Sequence, residues 1–109
     1  MEKLTIKSWA LDDRPREKLL AKGKNALSDA ELIAILIGSG SANESAVSLA
    51  KRILLSVHGN INALAKLSVE KLTSFHGVGS AKVLAIITAL ELGKRRQLST
   101  TVHNVVTNN

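Results

Sequence analysis

The chain has 109 residues, of which 15 are lysine or arginine and nine are aspartate or glutamate, so its formal charge is +6. This length suits a single domain, and a hydrophobic fraction of 45% is sufficient for a compact core. The absence of cysteine excludes disulfides, thiol nucleophiles and cysteine-ligated zinc or iron–sulfur sites. Trp9 and Phe75 are the only aromatic residues, which argues against binding of single strands by base stacking. The excess of positive charge permits a polyanionic partner.

The sequence has none of the features of a membrane protein. No run approaches the ~20 apolar residues that a spanning helix needs, and the polar start Met1-Glu2-Lys3 is unlike a signal peptide. We therefore expect a soluble cytoplasmic protein that does not contact a membrane.

The first 13 residues predict an extended N-terminal arm, which Trp9 anchors against the body of the domain. Residues 14–20 follow as a short helix. Pro15 lies in its first turn, where a missing amide hydrogen costs nothing, and Gly23 is a suitable stop.

Serine residues mark the starts of the next helices. Ser28 forms a capping box with Glu31, in which each side chain bonds the other residue's amide, and this box opens an apolar helix over residues 32–37. That helix ends at Gly38-Ser39-Gly40. Further helices are predicted from Ser45 to Val57, from Ile61 to Lys66 and from Ser68 to Phe75.

The longest predicted helix begins at Ser80, and its nearly continuous apolar positions place it at the centre of the fold. Its predicted end is Lys94-Arg95-Arg96, because basic side chains complement the negative end of a helix dipole. Residues 98–109 change to threonine, valine and asparagine, a composition typical of a strand or a linker. The predicted fold class is therefore all-α, with one domain over residues 1–97 and a linker over residues 98–109.

A pattern of serine, apolar and glycine residues occurs twice, about 40 positions apart. The copies are Ser28, Leu32, Leu36, Gly38, Gly40 and Ser68, Leu72, Phe75, Gly77, Gly79. The repeat indicates a duplicated helix-hairpin-helix motif, and we expect a compact bundle of tandem, degenerate motifs that resembles domain 2 of RuvA. The first copy lacks a large apolar residue between its glycines and has Glu44 nearby, so we expect a structural role for its turn.

The segment from Gly77 to Lys82 has the sharpest functional signal. It predicts a tight turn between two helices, in which glycine tolerates positive φ angles and Val78 fills the groove between the helices. The amides that follow start a helix, where the dipole attracts an anion such as a DNA phosphate, and Lys82 would contact a neighbouring phosphate. The alternative is a turn that only packs the two helices. The expected DNA-binding residues are Gly77, Val78, Gly79, Ser80, Ala81 and Lys82.

No residue pattern supports an enzyme or a metal site. The histidines His58, His76 and His103 lie far apart with no carboxylate at ligand spacing, and the serines of residues 39–45 have no paired base. We expect no catalytic residue, no metal and no cofactor. A basic cluster extends the phosphate-binding surface if it lies beside the second turn, and is otherwise a solvated face; its members are Arg14, Arg16, Lys18, Lys22 and Lys24.

Six blocks follow one another along nearly the whole chain, and the second and third are the most specific. They are Trp9, Asp13–Leu20, Ala26–Leu32, Leu36–Gly40, Gly77–Lys82 and Glu91–Arg95. Together they resemble the N-terminal domain of the RadC (UPF0758) family. One departure is Val83, where the usual hairpin pattern has alanine.

The resemblance implies a bacterial or phage-like protein that has been labelled a DNA repair protein. It also implies a longer protein, in which a JAB/MPN domain with a His-x-His…Asp zinc-site pattern follows. That pattern is absent here, so we expect a truncated form whose residues carry no metallopeptidase activity.

Two functions follow as hypotheses. The first is a DNA-binding module that contacts the phosphate backbone without sequence specificity, weakly and in a salt-sensitive manner. The alternative is a protein-interaction or dimerisation domain that positions the C-terminal JAB/MPN domain, as a homodimer or with a partner protein, and does not bind DNA.

Overall fold

The computed structural model describes the backbone of residues 14–108 and the side chains of residues 14–99. Residues 1–13, with the predicted arm and Trp9, lie outside the described part. The elements in chain order are α1 (Pro15–Lys22), a 3-10 turn (Lys24–Ala26), α2 (Asp29–Ile37), α3 (Ala46–Leu55), α4 (Ile61–Ala65), α5 (Val69–Thr73) and α6 (Ser80–Asn108). Within residues 14–108 the structure has no strand beyond one isolated bridge, Ser41 to Glu44, so the predicted all-α class is confirmed.

The helices begin where the capping signals predict. Ser28 and Glu31 form the complete capping box of α2, since the Ser28 hydroxyl accepts from the Glu31 amide at 3.2 Å and the Glu31 carboxylate accepts from the Ser28 amide at 2.8 Å. The side chains of Ser45, Asn60 and Ser68 cap α3, α4 and α5 in the simpler way, each accepting from an amide three residues on.

The core forms where α2 packs against α3 and α6, and where α4 and α5 pack against α6. It consists of aliphatic side chains, in keeping with the scarcity of aromatic residues. The largest side chains with almost no exposure are Leu49, Ile53, Leu64, Leu72, Val83 and Ile86. Val83 is among them, so the larger side chain at this departure from the hairpin pattern is absorbed by the core.

A mostly buried ion pair holds α1 on α2. The ammonium group of Lys18 donates to the Glu31 carboxylate at 2.8 Å, across 13 residues of sequence. Glu31 therefore has two tasks, because the same carboxylate closes the capping box. The Lys18 hydrogen bond is the main cause, and the Ser28 amide the second, of a pKa of Glu31 that lies below its usual value.

The prediction for the end of the last helix is wrong. α6 does not stop at Lys94-Arg95-Arg96 but continues to Asn108, so residues 98–108 are helical instead of strand-like. The basic residues lie in the middle of the helix, where Arg95 pairs with Glu91 one turn earlier. A helix that is already formed extends at one hydrogen bond per residue, and residues 98–108 contain neither glycine nor proline to end it. Whether this segment links to a further domain stays a prediction.

Candidate nucleic-acid interface

The second turn, residues 74–79, connects α5 to α6 with the geometry that the sequence predicts. Gly77 has a φ of +88°, which a residue with a side chain rarely adopts. Val78 is only 5% exposed and belongs to the core. The backbone is closed by a hydrogen bond from the Val78 amide to the Phe75 carbonyl oxygen at 3.1 Å. Val78 therefore fixes the turn from inside, while Gly79 and Ser80 stay exposed.

The start of α6 differs from the starts of α2 to α5, because a glycine stands where those helices have a capping side chain. The amides of Ser80, Ala81 and Lys82 have no acceptor within the helix, owing to their position in its first turn. Among the described residues, no side chain accepts a hydrogen bond from them. A Cβ atom placed on Gly79 would meet nothing within 4 Å. Gly79, Ser80 and Ala81 are exposed residues, so a small anion can approach this helix start from solvent.

Lys82 does not extend outward from this helix start, although the sequence predicts a contact between its ammonium group and a phosphate. Its ammonium group lies between two turns and donates to the carbonyl oxygens of Gly40 and Gly77, each at 2.9 Å. The side chain is partly buried. Two of its three donors are therefore used within the protein.

The first turn, residues 38–45, connects α2 to α3 and depends on glycine at two points. Gly38 ends α2 with a φ of +77°. A Cβ atom on Gly40 would lie 1.9 Å from the carbonyl oxygen of Glu44, so only glycine fits there. Ser41 and Glu44 exchange two backbone hydrogen bonds, of 2.8 and 3.3 Å, which close the turn.

Arg52 of α3 makes the second link between the turns. Its guanidinium group forms a bidentate pair with the Glu44 carboxylate, at 2.8 and 3.0 Å, and also donates to the carbonyl oxygen of His76. Hydrogen bonding to Arg52 is the main cause of a lowered pKa of Glu44, and the pKa of Arg52 is raised in turn. From the sequence, Glu44 is only a negative charge near the first turn, and no local pattern indicates this network.

The two copies of the repeat agree at their caps and first glycines, but differ elsewhere. Leu72 is 1% exposed, whereas its counterpart Leu32 is 40% exposed. A helix follows Gly79 directly, whereas five residues separate Gly40 from the start of α3. Only the second turn therefore places its glycines next to a helix start, and the helix-hairpin-helix assignment of the pair stays a prediction.

The basic cluster divides into members with different surroundings. Lys18 is used in the ion pair with Glu31. The guanidinium group of Arg16 lies at the first turn, 3.3 Å from the point where a Cβ atom of Gly38 would stand. Lys22 and Lys24 are exposed near the end of α1.

An apolar groove of about 780 Å³ lies on another face, between α4 and α6. Ile61, Leu64, Ile87 and Leu90 line it, and Leu98 stands at its end with 54% of its surface exposed. This groove is the second surface to which a function can be assigned.

No group of histidine, aspartate or glutamate side chains among the described residues is arranged to hold a metal ion. None of the helices in this part of the chain combines the length and the apolar character needed to cross a membrane.

Comparison with known proteins identifies the family. Residues 6–84 match the family model described as UPF0758 N-terminal. A UPF0758 protein of Flavobacterium johnsoniae is 62% identical over 92 residues, which cover 84% of this chain and 40% of that protein. A UPF0758 protein of Porphyromonas gingivalis is 45% identical over 93 residues, which cover 84% of this chain and 41% of that protein. A UPF0758 protein of Alkaliphilus oremlandii is 43% identical over 101 residues, which cover 93% of this chain and 44% of that protein. No solved structure matches the chain.

The chain thus spans about 40% of the length of these curated relatives. The matched segment contains α1 to α5, both turns and the start of α6. The chain belongs to the UPF0758 family and contains its N-terminal domain.

Proposed function

We propose that this domain binds DNA through the phosphate backbone, at the second turn and the first residues of α6. The observation that carries the proposal is the open helix start, where the exposed residues Ser80 and Ala81 follow a glycine and their amides have no capping side chain. Such amides donate to an anion, and the helix dipole adds a favourable field. The formal charge of +6 favours a polyanion over a neutral partner.

The proposed contact involves main-chain groups, so it reads phosphates and not bases. Binding of this kind tolerates any sequence and weakens as salt rises, with a slope of log K against log salt of roughly −2 to −4 for ~2–4 neutralised phosphates. The affinity of this domain alone is then low. The larger relatives permit a second contact elsewhere in the full-length protein, and the label of a DNA repair protein, which the resemblance implies, belongs to this same proposal.

Gly79→Ala tests the proposal with little disturbance of the fold. The added methyl group has free space and no positive φ to oppose it, but it occupies the approach to the amides of α6. We expect the affinity for a labelled duplex to fall roughly tenfold, as for the loss of one charge-assisted hydrogen bond of about 1.5 kcal/mol. Fluorescence anisotropy over a salt series measures both affinity and slope, for plain and branched duplexes.

Gly93→Ala is the matched control, because Gly93 also has free space for a methyl group but lies more than three turns along α6. Its affinity for DNA should equal that of the wild type. Equal affinities in Gly79→Ala and Gly93→Ala, with helicity intact by circular dichroism, would rule out the second turn as the contact. Absence of any binding at low salt would remove the DNA-binding proposal altogether.

A second function is favoured by the groove between α4 and α6. Its apolar lining and the exposed Leu98 suit a protein-interaction or dimerisation domain, which would position a C-terminal domain of the JAB/MPN type in the full-length protein. Sedimentation velocity over a concentration series tests self-association. Leu98→Asp should abolish a dimer, whereas Leu20→Asp, at an exposed leucine of α1, should not. A monomer at all concentrations contradicts dimerisation through this groove.

A further inference from the structure

Two basic side chains from different helices join the first turn to the second. Lys82 of α6 spans Gly40 and Gly77, and Arg52 of α3 spans Glu44 and His76. Each of these side chains therefore bonds one residue of the first turn and one residue of the second turn. We propose that Lys82 and Arg52 are positioning residues that hold the second turn against the first, and that Lys82 is not a phosphate ligand. This inference rests on the proposed function only for its consequence in DNA binding.

The hydrogen bonds of Lys82 argue against a role as a phosphate ligand. An ammonium group has three donors, and two of them are bonded to carbonyl oxygens at 2.9 Å, a distance typical of charge-assisted bonds. If the Lys82 side chain extended outward to a phosphate, its ammonium group would lose the hydrogen bonds to both carbonyl oxygens. The side chain would also have to leave a partly buried position.

The second turn lies close to the first, so the bonds of Lys82 and Arg52 affect the position of the second turn. A Cβ atom on Gly77 would lie 3.5 Å from the Ser41 side chain of the first turn and 3.6 Å from the Leu49 side chain of α3, so little space separates Gly77 from the first turn. The Glu44 carboxylate, which Arg52 holds, belongs to the turn that Ser41 and Glu44 close. The first turn therefore supports the second, and through it sets where the amides of Gly79 and Ser80 lie.

Substitution of Lys82 should distinguish a positioning residue from a phosphate ligand through the salt dependence of DNA binding. Lys82→Met removes the charge and the donors, while Lys94→Met removes the same charge from an exposed position about three turns after Lys82 in α6. We expect Lys82→Met to bind a duplex severalfold more weakly than Lys94→Met, with the same slope of log K against log salt. A slope that is smaller in magnitude by about 0.9 in Lys82→Met would identify Lys82 as a phosphate ligand and overturn the inference. Equal affinities of the two variants would also overturn it.

Hydrogen exchange tests the link without DNA. The Ser41 amide is bonded to Glu44 within the first turn, so it should exchange severalfold faster in Lys82→Met than in Lys94→Met. An unchanged exchange rate contradicts the positioning role, whether or not DNA binds. Failure of the proposed function is recognised separately, as a wild-type chain that binds no DNA.

The wild-type chain provides a test that does not depend on the folding of a variant. In a sample with ¹⁵N-labelled lysine, the Lys82 ammonium signal should be protected from exchange with water and should keep its shift when a duplex is added. A shift of that signal as large as those of the Gly79 and Ser80 amides would show direct contact with phosphate and overturn the inference.

Discussion

Gly40→Ala is predicted to destabilise the domain strongly, although Gly40 has no positive φ. The obstacle is the backbone of the same turn, since the new Cβ atom would lie 1.9 Å from the Glu44 carbonyl oxygen and 2.5 Å from the Ser45 carbonyl carbon. Neither atom belongs to a flexible side chain. The turn must therefore open.

The magnitude follows from the bonds that this opening breaks. Two backbone hydrogen bonds between Ser41 and Glu44 close the turn, and at about 1 kcal/mol each their loss lowers the free energy of unfolding by about 2 kcal/mol. For a domain of this size the melting temperature would fall by roughly 10 °C. The link from Lys82 to the Gly40 carbonyl group should weaken at the same time.

Urea denaturation followed by circular dichroism measures this change, with Gly93→Ala as the control. Gly93 lies within α6 with open space around it, so alanine there should stabilise the chain by up to about 1 kcal/mol. A Gly40→Ala chain within about 0.5 kcal/mol of the wild type would refute the steric reasoning, since changes of that size are usual at unconstrained surface positions.

Three further predictions concern stability. Glu31→Gln keeps an acceptor for the capping box but loses the charge that faces Lys18, so it should cost about 1–3 kcal/mol near neutral pH. The pKa of Glu31 is lowered in the folded state, so the stability that its charge contributes is complete above about pH 4.3 and is lost as the pH falls through the lowered pKa. The difference in the free energy of unfolding between wild type and Glu31→Gln, measured by urea denaturation, should therefore disappear on acidification. A difference that does not change with pH would contradict an origin in the Glu31 charge. Val78→Ala should lower the free energy of unfolding by about 2 kcal/mol in the same assay, because two buried carbons are removed from the core beneath the second turn. An unchanged free energy of unfolding would mean that Val78 does not fix the turn. Ser68→Ala should lower the free energy of unfolding by about 1 kcal/mol through the lost cap of α5, whereas Ser99→Ala, at an exposed serine within α6, should leave it nearly unchanged. Equal effects of the two substitutions would show that the Ser68 cap does not stabilise the domain.

Local signals in the sequence were sufficient for most of the fold. Ser28 and Glu31 are three residues apart, so their capping box can be recognised without knowledge of the tertiary structure. Gly38 directly follows a helix and adopts positive φ, as glycine at that position commonly does, and Gly77 adopts positive φ within the second turn. The end of α6 was missed because basic residues favour a helix end without requiring one, and no glycine or proline follows them.

The contacts that organise the candidate site join residues distant in sequence, so no local pattern could predict them. Lys82 bonds Gly40 across 42 residues, and Arg52 bonds His76 across 24. The sequence places Lys82 one helical turn after Gly79, which suits a phosphate contact and an internal bond equally well. Only the packing of the two turns decides between them, because it brings the Gly40 carbonyl group within reach of the lysine.

The most direct test is a titration of the ¹⁵N-labelled chain with a short duplex in dilute buffer, followed by amide chemical shifts. Contact between phosphate and the open helix start predicts that the largest shifts occur at Gly79, Ser80 and Ala81 and disappear as salt is raised. If these three amides do not move, or if the shifts cluster instead around Leu64 and Leu98 in the apolar groove, the domain does not bind DNA at the second turn.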